Sequence, residues 1–330
     1  MTDPSGAAEF AAIERIAARL AAGGVGRPAG ELWIGDDAAI VVIGAARVAV
    51  SADALVEGVH ADLSLTTPAD LGWKALAVNV SDLAAMGCVA SRAVVTVAGP
   101  PDTDLDGLYE GLAAAADTYG CPVVGGDLTG AAVLVVSVTV LGDAGLTPGP
   151  VTRAGARPDD QIWVTGPLGG AAAGLAALRR ASRGGPAVPG ALRQAHARPV
   201  PRVAEGTAAR ELGARAMIDI SDGFGADLGH VLDASGVGAE LTVVPVATGA
   251  SAAEALGGGD DYELVFCAPA EAPIRAGFAD RGLPEPILVG RCVADRGRRT
   301  LADRPFGPSG WAHAIGDPGR GTAAGPGGGR

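Results

Sequence analysis

The stretch TTPADLGWKALAVNVSDLAAMG, Thr66–Gly87, decides how the first half of the chain is read. A threonine cap and a proline in the first turn open it, and Gly87 offers a stop, so it reads as one helix. Apolar runs lie on either side. RVAVSAD (47–53) and SRAVVTVAG (91–99) read as strands, DLDGLYEGLAAAADTYG (104–120) as a helix, and AAVLVVSVTVLG (131–142) as a further strand. Upstream, Phe10, Ile13, Ile16 and Leu20 fall on one face of a helix. The first half is therefore a βα alternation, with strands too apolar to be solvated on one side.

The stretch GDAGLTPGPVTRAGARPDD (142–160), rich in Gly and Pro, reads as a boundary between domains. Beyond it QIWVTG is strand, GGAAAGLAALRRA and PRVAEGTAARELG are helices, and RAMIDISDGFGADLGHVLDASG passes from strand through a turn to helix. YELVFCA, APIRAGFADRG and PILVG close a second α/β unit. The expected organisation is an N-terminal domain over 1–148, a C-terminal domain over 149–316 and a disordered tail over 317–330.

Composition narrows the function. The 330 residues are 48% hydrophobic, enough to bury real cores, yet only 4% aromatic, so those cores are aliphatic. A net charge of −12 argues against a nucleic-acid or anionic-membrane partner, since both need a basic face. Among the 25 lysines and arginines only Lys74 is lysine, which reads as a compositional bias. Cys88, Cys121, Cys267 and Cys292 lack C-x-x-C spacing, so neither zinc nor a disulfide framework is expected and a reducing cytoplasm is the natural setting. No basic leader precedes an apolar stretch, and the longest apolar run is about half the ~20 residues of a membrane helix.

Acids gather at the ends of the apolar runs. Asp36 and Asp37 follow LWIG, Asp53 follows VAVSA, Asp82 lies in AVNVSDLAAMG and Asp127 in VVGGD. Asp219 and Asp222 lie in MIDISDG, and Asp260 and Asp261 in GGGDDYEL. Each alone also reads as a helix cap or turn residue. Together, at the strand edge where open α/β sheets bind ligands, they read as a site that needs a cation not encoded in the chain. An all-oxygen ligand set suits Mg²⁺ or Mn²⁺. There is no G-x-x-x-x-G-K-[ST] loop and no G-x-S-x-G elbow. His196 and His230 fall in helical stretches and read as packing or surface residues, whereas His60 and His313 are better placed for ligand contact. Many carboxylates without nucleophile or base fit phosphoryl transfer to an acceptor that is already an anion. Gly125 and Gly126, and the turn TGPLGGAAAG (165–174), offer backbone to phosphate.

The phrases IGDDAAI, DALVEGVH, KALAVNVSDLAAMG, VVGGDLTG, MIDISDGFGADLGHV and GGGDDYELVF resemble the thiamine-monophosphate kinase family. That family belongs to the aminoimidazole-ribonucleotide synthetase-like group of two-domain ATP enzymes. The resemblance implies that fold, of α/β (α+β) class, with N-terminal sheets pairing across a homodimer. It implies ATP as co-substrate, several Mg²⁺ ions, and phosphorylation of thiamine monophosphate to thiamine diphosphate. Carried over by position, Asp37, Ser51, Ala52 (through its backbone), Asp53, Asp82, Asp127, Asp219 and Asp222 would hold metal. Of these, Asp53, Asp127 and Asp219 would be central to transfer. Gly126, Asp127, Arg153 and Ser221 would contact ATP; His60, Asp260 and Trp311 would contact the acceptor. Arg153 is also chemically suited to phosphate, and Trp311 to stacking on a heterocycle.

The chain departs from the family pattern at several points. Ala52 and Leu128 stand where threonine is usual, Asp260 where glutamate is usual, Ala61 where an aromatic follows the histidine, and Ala312 where an acid follows the tryptophan. These touch the acceptor side more than the metal side. The alternatives are a superfamily ATP enzyme with another acceptor and a non-catalytic ATP–Mg binding scaffold.

Overall fold

In the computed structural model, residues 4–22, 26–307 and 309–311 are described. The expected tail, His313 and Ala312 lie outside them. The N-terminal half contains α1 (Pro4–Ala21), β1 (Ala39–Ile43), β2 (Ala46–Val56), α2 (Pro68–Ala85), β3 (Val89–Gly99), α3 (Leu105–Tyr119), β4 (Val123–Gly130) and β5 (Val135–Asp143). The C-terminal half contains β6 (Gln161–Val164), α4 (Gly170–Ala181), α5 (Gly190–Ala197), α6 (Val203–Glu211), β7 (Ala216–Asp219), α7 (Phe224–Ser235) and β8 (Gly238–Leu241). It continues with α8 (Ala252–Gly257), β9 (Leu264–Ala268), α9 (Ile274–Asp280), β10 (Ile287–Val293), β11 (Arg299–Leu301) and β12 (Arg304–Pro305).

The strands form two sheets, ordered β1-β2-β5-β3-β4 and β12-β11-β8-β10-β6-β9-β7. In the first, only β3 and β4 run parallel; the other pairs are antiparallel. Strict βα alternation therefore gives way to a mixed sheet with helices on one side. Val136, Val138 and Val140 of β5 and Ala93, Val95 and Val97 of β3 are buried in one core with Leu76, Leu83, Leu108 and Leu112 of α2 and α3. The other face is open in the single chain: Val94 and Thr96 of β3 are exposed there, and Val124 is exposed on the edge strand β4. VVGGD is not a strand end: β4 runs through it to Gly130 as an edge strand.

Helix α2 starts where its caps dictate. Thr67 accepts the Asp70 N–H and the Asp70 side chain accepts the Thr67 N–H, a complete capping box, with Pro68 at the first position. Thirteen of its residues are buried, against the sheet, α3 and the C-terminal half. The last contact is polar as well. Asp70 accepts from Arg198 Nε at 2.7 Å, and Trp73 Nε1 donates to the Pro199 carbonyl at 3.0 Å. Arg210, on α6, donates to the carbonyls of Gly87 and Pro148, pinning the expected boundary to the end of α2.

Glycine sets the closeness of α2 and α3. A Cβ on Gly72 would lie 2.0 Å from the Leu108 carbonyl oxygen, and one on Gly111 would lie 1.8 Å from that of Ala69. Either alanine substitution must push the two helices apart. We expect Gly72→Ala and Gly111→Ala each to lower unfolding free energy by at least ~1–3 kcal/mol in urea titrations, as overpacked cores do. Gly190→Ala, with nothing within 4 Å of its Cβ, should leave stability unchanged or higher.

Candidate active site

Helix α2 builds the site from two of its faces. Toward β2, the Asn79 carbonyl accepts the Asp53 N–H at 2.8 Å, and its amide donates back to Ala75 O at 3.0 Å. The Ser51 hydroxyl donates to Asp82 and lies 3.4 Å from the Asn79 carbonyl. Toward the C-terminal half, Ser81 donates to Asp219, the last residue of β7, at 2.6 Å. Helical spacing thus lets adjacent residues, Ser81 and Asp82, reach into different domains.

Carboxylate oxygens of Asp37, Asp82 and Asp219 lie within 4.8 Å of one another. The adjacent acids Asp36 and Asp37 do find a cation, 116 residues away. Arg153 donates from Nη2 (2.6 Å) and Nε (3.2 Å) to Asp37 Oδ1, and its backbone N–H meets the Asp36 carboxylate at 3.2 Å. One guanidinium does not balance three carboxylates. Asp37 Oδ2 is buried without a hydrogen-bond partner. Burial, then Asp53 and Asp219, hold Asp82 well above the usual carboxylate range. Burial and then Asp37 push Asp219 up to about 8, and burial and Asp37 push Asp36 up to about 6. Burial also raises Asp37 against the pull of Arg153. A buried oxygen with no partner inside an all-carboxylate cluster fits a hard divalent cation such as Mg²⁺.

The other sequence-assigned residues fall around this centre at different removes. Asp53 lies beside Ser51 on β2 and acts electrostatically on both Asp82 and Asp219. Ala52, between them, is exposed and pairs with Thr139 on β5. Ser221 and Asp222 form the turn after β7, and Trp311 donates its N–H to the Asp222 carbonyl at 2.9 Å. The Ser221 carbonyl accepts the Asp260 N–H at 2.8 Å, so Asp260 and Trp311, both expected on the acceptor side, are tied to one turn. His60 Nδ1 accepts the Val56 N–H at 3.0 Å. That leaves Nε2 carrying the proton in the neutral ring.

Asp127 does not join the cluster within one chain. Its register partner is Thr96, an exposed β3 residue, so it stands on the open face. Strands β5 and β3 lie between β4 and the strand carrying Asp53. At about 4.8 Å per strand, that puts the two backbones roughly 14 Å apart. Gly126 serves the strand pair itself: a Cβ there would lie 1.7 Å from the Val95 carbonyl oxygen.

Several functional positions escaped the sequence reading. Asn79 and Ser81 orient Asp53 and Asp219 from within α2. Asp227 accepts the N–H groups of Asp222 and Gly223 at 3.1 and 2.9 Å, shaping the turn that carries Ser221. Their signal was the i, i+2 pair of polar residues, Asn79 and Ser81, inside an otherwise apolar stretch of α2, and an acid, Asp227, in the first turn of α7. The 165–174 turn is not open to phosphate, because Asp261 accepts the N–H groups of Gly169 and Ala171 at the start of α4. His196 and His230 are held down near 4, in both cases by burial first.

Two domains, one mixed sheet in each, and a carboxylate cluster between them define a class. The family model "AIR synthase related protein, N-terminal domain" matches residues 35–144, and its C-terminal counterpart matches 157–302. The thiamine-monophosphate kinase of Mycobacterium tuberculosis is 37% identical over 329 residues, covering 94% of this chain and 92% of the relative. That of Escherichia coli K12 is 42% identical over 257 residues, covering 72% and 77%. The solved structure of AaThiL complexed with AMPPCP and TMP superposes with a TM-score of 0.79 at 30% identity, covering 92% of this chain and 96% of that one. The chain belongs to the thiamine-monophosphate kinase family.

The electrostatics make a pH prediction. A carboxyl raised in the folded state stabilises it below the unfolded pKa, and that contribution is lost as pH climbs through the folded value. In EDTA, melting temperature should therefore fall as pH rises from about 4, the unfolded value, to about 8, the folded value of Asp219. Asp219→Asn should flatten the fall, and added Mg²⁺ should raise the melting temperature more at pH 8 than at pH 5. Differential scanning fluorimetry reads all three; a flat metal-free profile in the unmodified protein would remove the assignment.

Proposed function

We propose that this protein transfers the γ-phosphoryl group of ATP to the phosphate of thiamine monophosphate, giving thiamine diphosphate and ADP. The observation that carries the reading is the convergence of Asp37, Asp82 and Asp219 with one buried carboxylate oxygen unpartnered. An acceptor phosphate oxygen attacks the γ-phosphorus as the bond to the β-phosphate oxygen breaks. The nucleophile is already anionic, so no side chain has to take its proton. Mg²⁺ held by Asp37, Asp82 and Asp219, with Asp53 and Ser51 beside them, would supply charge neutralisation for the phosphates.

The chain's own groups supply orientation. Arg153 is fixed by Asp36 and Asp37 with its side chain still 23% exposed, which suits a cation that meets phosphate at the mouth of the site. Ser221 is set by the turn that Asp227 holds, next to Asp222 as a further metal ligand. On the acceptor side, His60 offers an N–H donor, Asp260 a carboxylate for the cationic heterocycle, and Trp311, 56% exposed, a ring to cover it. The free, buried cysteines suit a reducing cytoplasm, and no helix among the described residues is long and apolar enough to cross a membrane.

The assembly we infer is a homodimer. The open apolar face and the unpaired edge of β4 are surfaces that a second copy would cover. This pairing also gives Asp127 and Gly126 a role, because it takes them to the phosphate site of the partner rather than of their own chain. An isologous pairing of the same patch on both copies does this twice.

Two experiments test the reading. With ATP, Mg²⁺ and thiamine monophosphate, the protein should form thiamine diphosphate and ADP above an ATP-only control. Asp82→Asn should cut kcat by on the order of 100-fold or more while the circular dichroism spectrum is kept; near-normal turnover counts against the metal role. In the second, Asp127→Asn and Asp219→Asn are each prepared and then co-refolded. If Asp127 serves the partner's site, mixed dimers carry one intact site and about a quarter of full activity returns. If both residues served one chain's site, mixing would restore nothing.

A further inference from the structure

The chain uses arginine at every basic position but one, and the exception is buried at the domain junction. Lys74, in the middle of α2, is 4% exposed, and its ammonium lies 2.7 Å from Asp260 Oδ2. The two ends of this ion pair differ: the lysine side chain is 5% exposed and the aspartate side chain 34%. The other oxygen of Asp260 is approached by the Tyr262 hydroxyl at 3.3 Å.

The backbone that carries these groups is held in an uncommon shape. Asp260 (φ 70°) and Tyr262 (φ 52°) are both left-handed, a region that bulky L-residues rarely occupy. Hydrogen bonds from the Asp260 N–H to Ser221 O and from the Tyr262 N–H to Ile220 O, both 2.8 Å, keep it there. Such conformations persist where the surroundings over-determine them, and they cluster at ligand clamps. Tyr262 comes from the C-terminal half yet packs, 7% exposed, in the core of the N-terminal half. Its phenol is driven well above the usual value by burial, then Asp260, then Asp53, Asp219 and Asp82, so it feels both Asp260 and the carboxylate cluster.

Lys74 also lines a cavity of about 10 Å³, the room of roughly one water, shared with His60, Thr66, Asp70 and His196. Nδ1 of His196 is buried there without a hydrogen-bond partner. The cationic end of the pair is therefore next to the histidine assigned to the acceptor.

We propose that Lys74 is a positioning residue for the acceptor: it clamps one oxygen of Asp260 so that the exposed part of that carboxylate meets the substrate at a fixed distance from the carboxylate cluster. Tyr262 is the second tether. The inference rests on the thiamine monophosphate reading and adds to it the group that sets the reach of Asp260. A lysine suits the task because a compact ammonium on an unbranched stem fits between α2 and the loop, where a planar guanidinium would displace the carboxylate.

The test is a double-mutant cycle in the full-length enzyme, with ATP and acceptor varied separately. Lys74→Met and Asp260→Asn should each raise the KM for thiamine monophosphate about tenfold or more, leaving kcat and the KM for ATP within about threefold. The double variant should be no worse than Asp260→Asn, because Lys74 acts through that carboxylate. A second readout uses the unmutated chain. Lysine labelled with ¹³C gives a single side-chain Cε signal, which should shift when thiamine monophosphate is added and stay in place with ATP–Mg²⁺ alone. Penalties that add in the double variant, an equal rise in the KM for ATP, or a Cε signal indifferent to the acceptor would overturn the proposal. Failure of the unmutated enzyme to form thiamine diphosphate would instead remove the reading on which it rests.

Discussion

The structure turns on a repulsion that the fold sets up and does not relieve. Two unit charges about 4.8 Å apart repel by roughly 3 kcal/mol at an effective dielectric near 20. Asp37, Asp82 and Asp219 are three such groups at or within that distance, and Arg153 makes an ion pair with only one of them. Without metal the cluster lowers its charge by taking up protons, which is what the raised carboxyl affinities of Asp82 and Asp219 express. With a divalent cation the same energy becomes binding affinity. The arrangement of the three carboxylates has to survive both conditions.

Helix α2 supplies that rigidity. It is capped at its start, buried on most of its circumference and pressed against α3 at Gly72 and Gly111. From this one element Asn79 orients β2, Asp82 enters the cluster, and Ser81 and Lys74 hold residues of the other domain. Relative movement of the domains would have to break Ser81–Asp219 and Lys74–Asp260 together. The carboxylate cluster and Asp260 are therefore registered to each other through a single helix, an arrangement that suits phosphoryl transfer, which is mostly a matter of placement.

How much of this was legible in the chain follows from the range of each signal. Helices α2 and α3 announced themselves because their caps, Thr67 with Asp70 and Asp104 with Gly120, are local. Strand β4 was hidden by its glycine pair, and the need for glycine comes from a neighbouring carbonyl, Val95 O, about thirty residues earlier in the chain. The acids could be picked out by type and position, but their destinations could not. Asp261 has the same surroundings in sequence as Asp260, yet it caps α4 while Asp260 turns to Lys74. Arg153 read as a phosphate ligand, and in the fold its backbone N–H and guanidinium meet the carboxylates of Asp36 and Asp37. The single lysine looked like a compositional accident until the fold put the carboxylate of Asp260 on it.

The position of Asp127 limits what one chain can do alone. Its backbone is locked by pairing with β3, and the close approach of Gly126 to Val95 O leaves no room to twist β4 so as to turn the carboxylate inward. Rotating the side chain cannot span two intervening strands. A single chain therefore keeps Asp37, Asp82 and Asp219 on the helix-covered side and Asp127 on the open side of the same sheet. If all four act on one nucleotide, the sheet must be wrapped by another copy of itself. The exposed Val94 near Asp127 is then explained by the same contact that gives its charge a use: it would be covered, and the carboxylate would lie at the rim, where the partner's phosphates arrive.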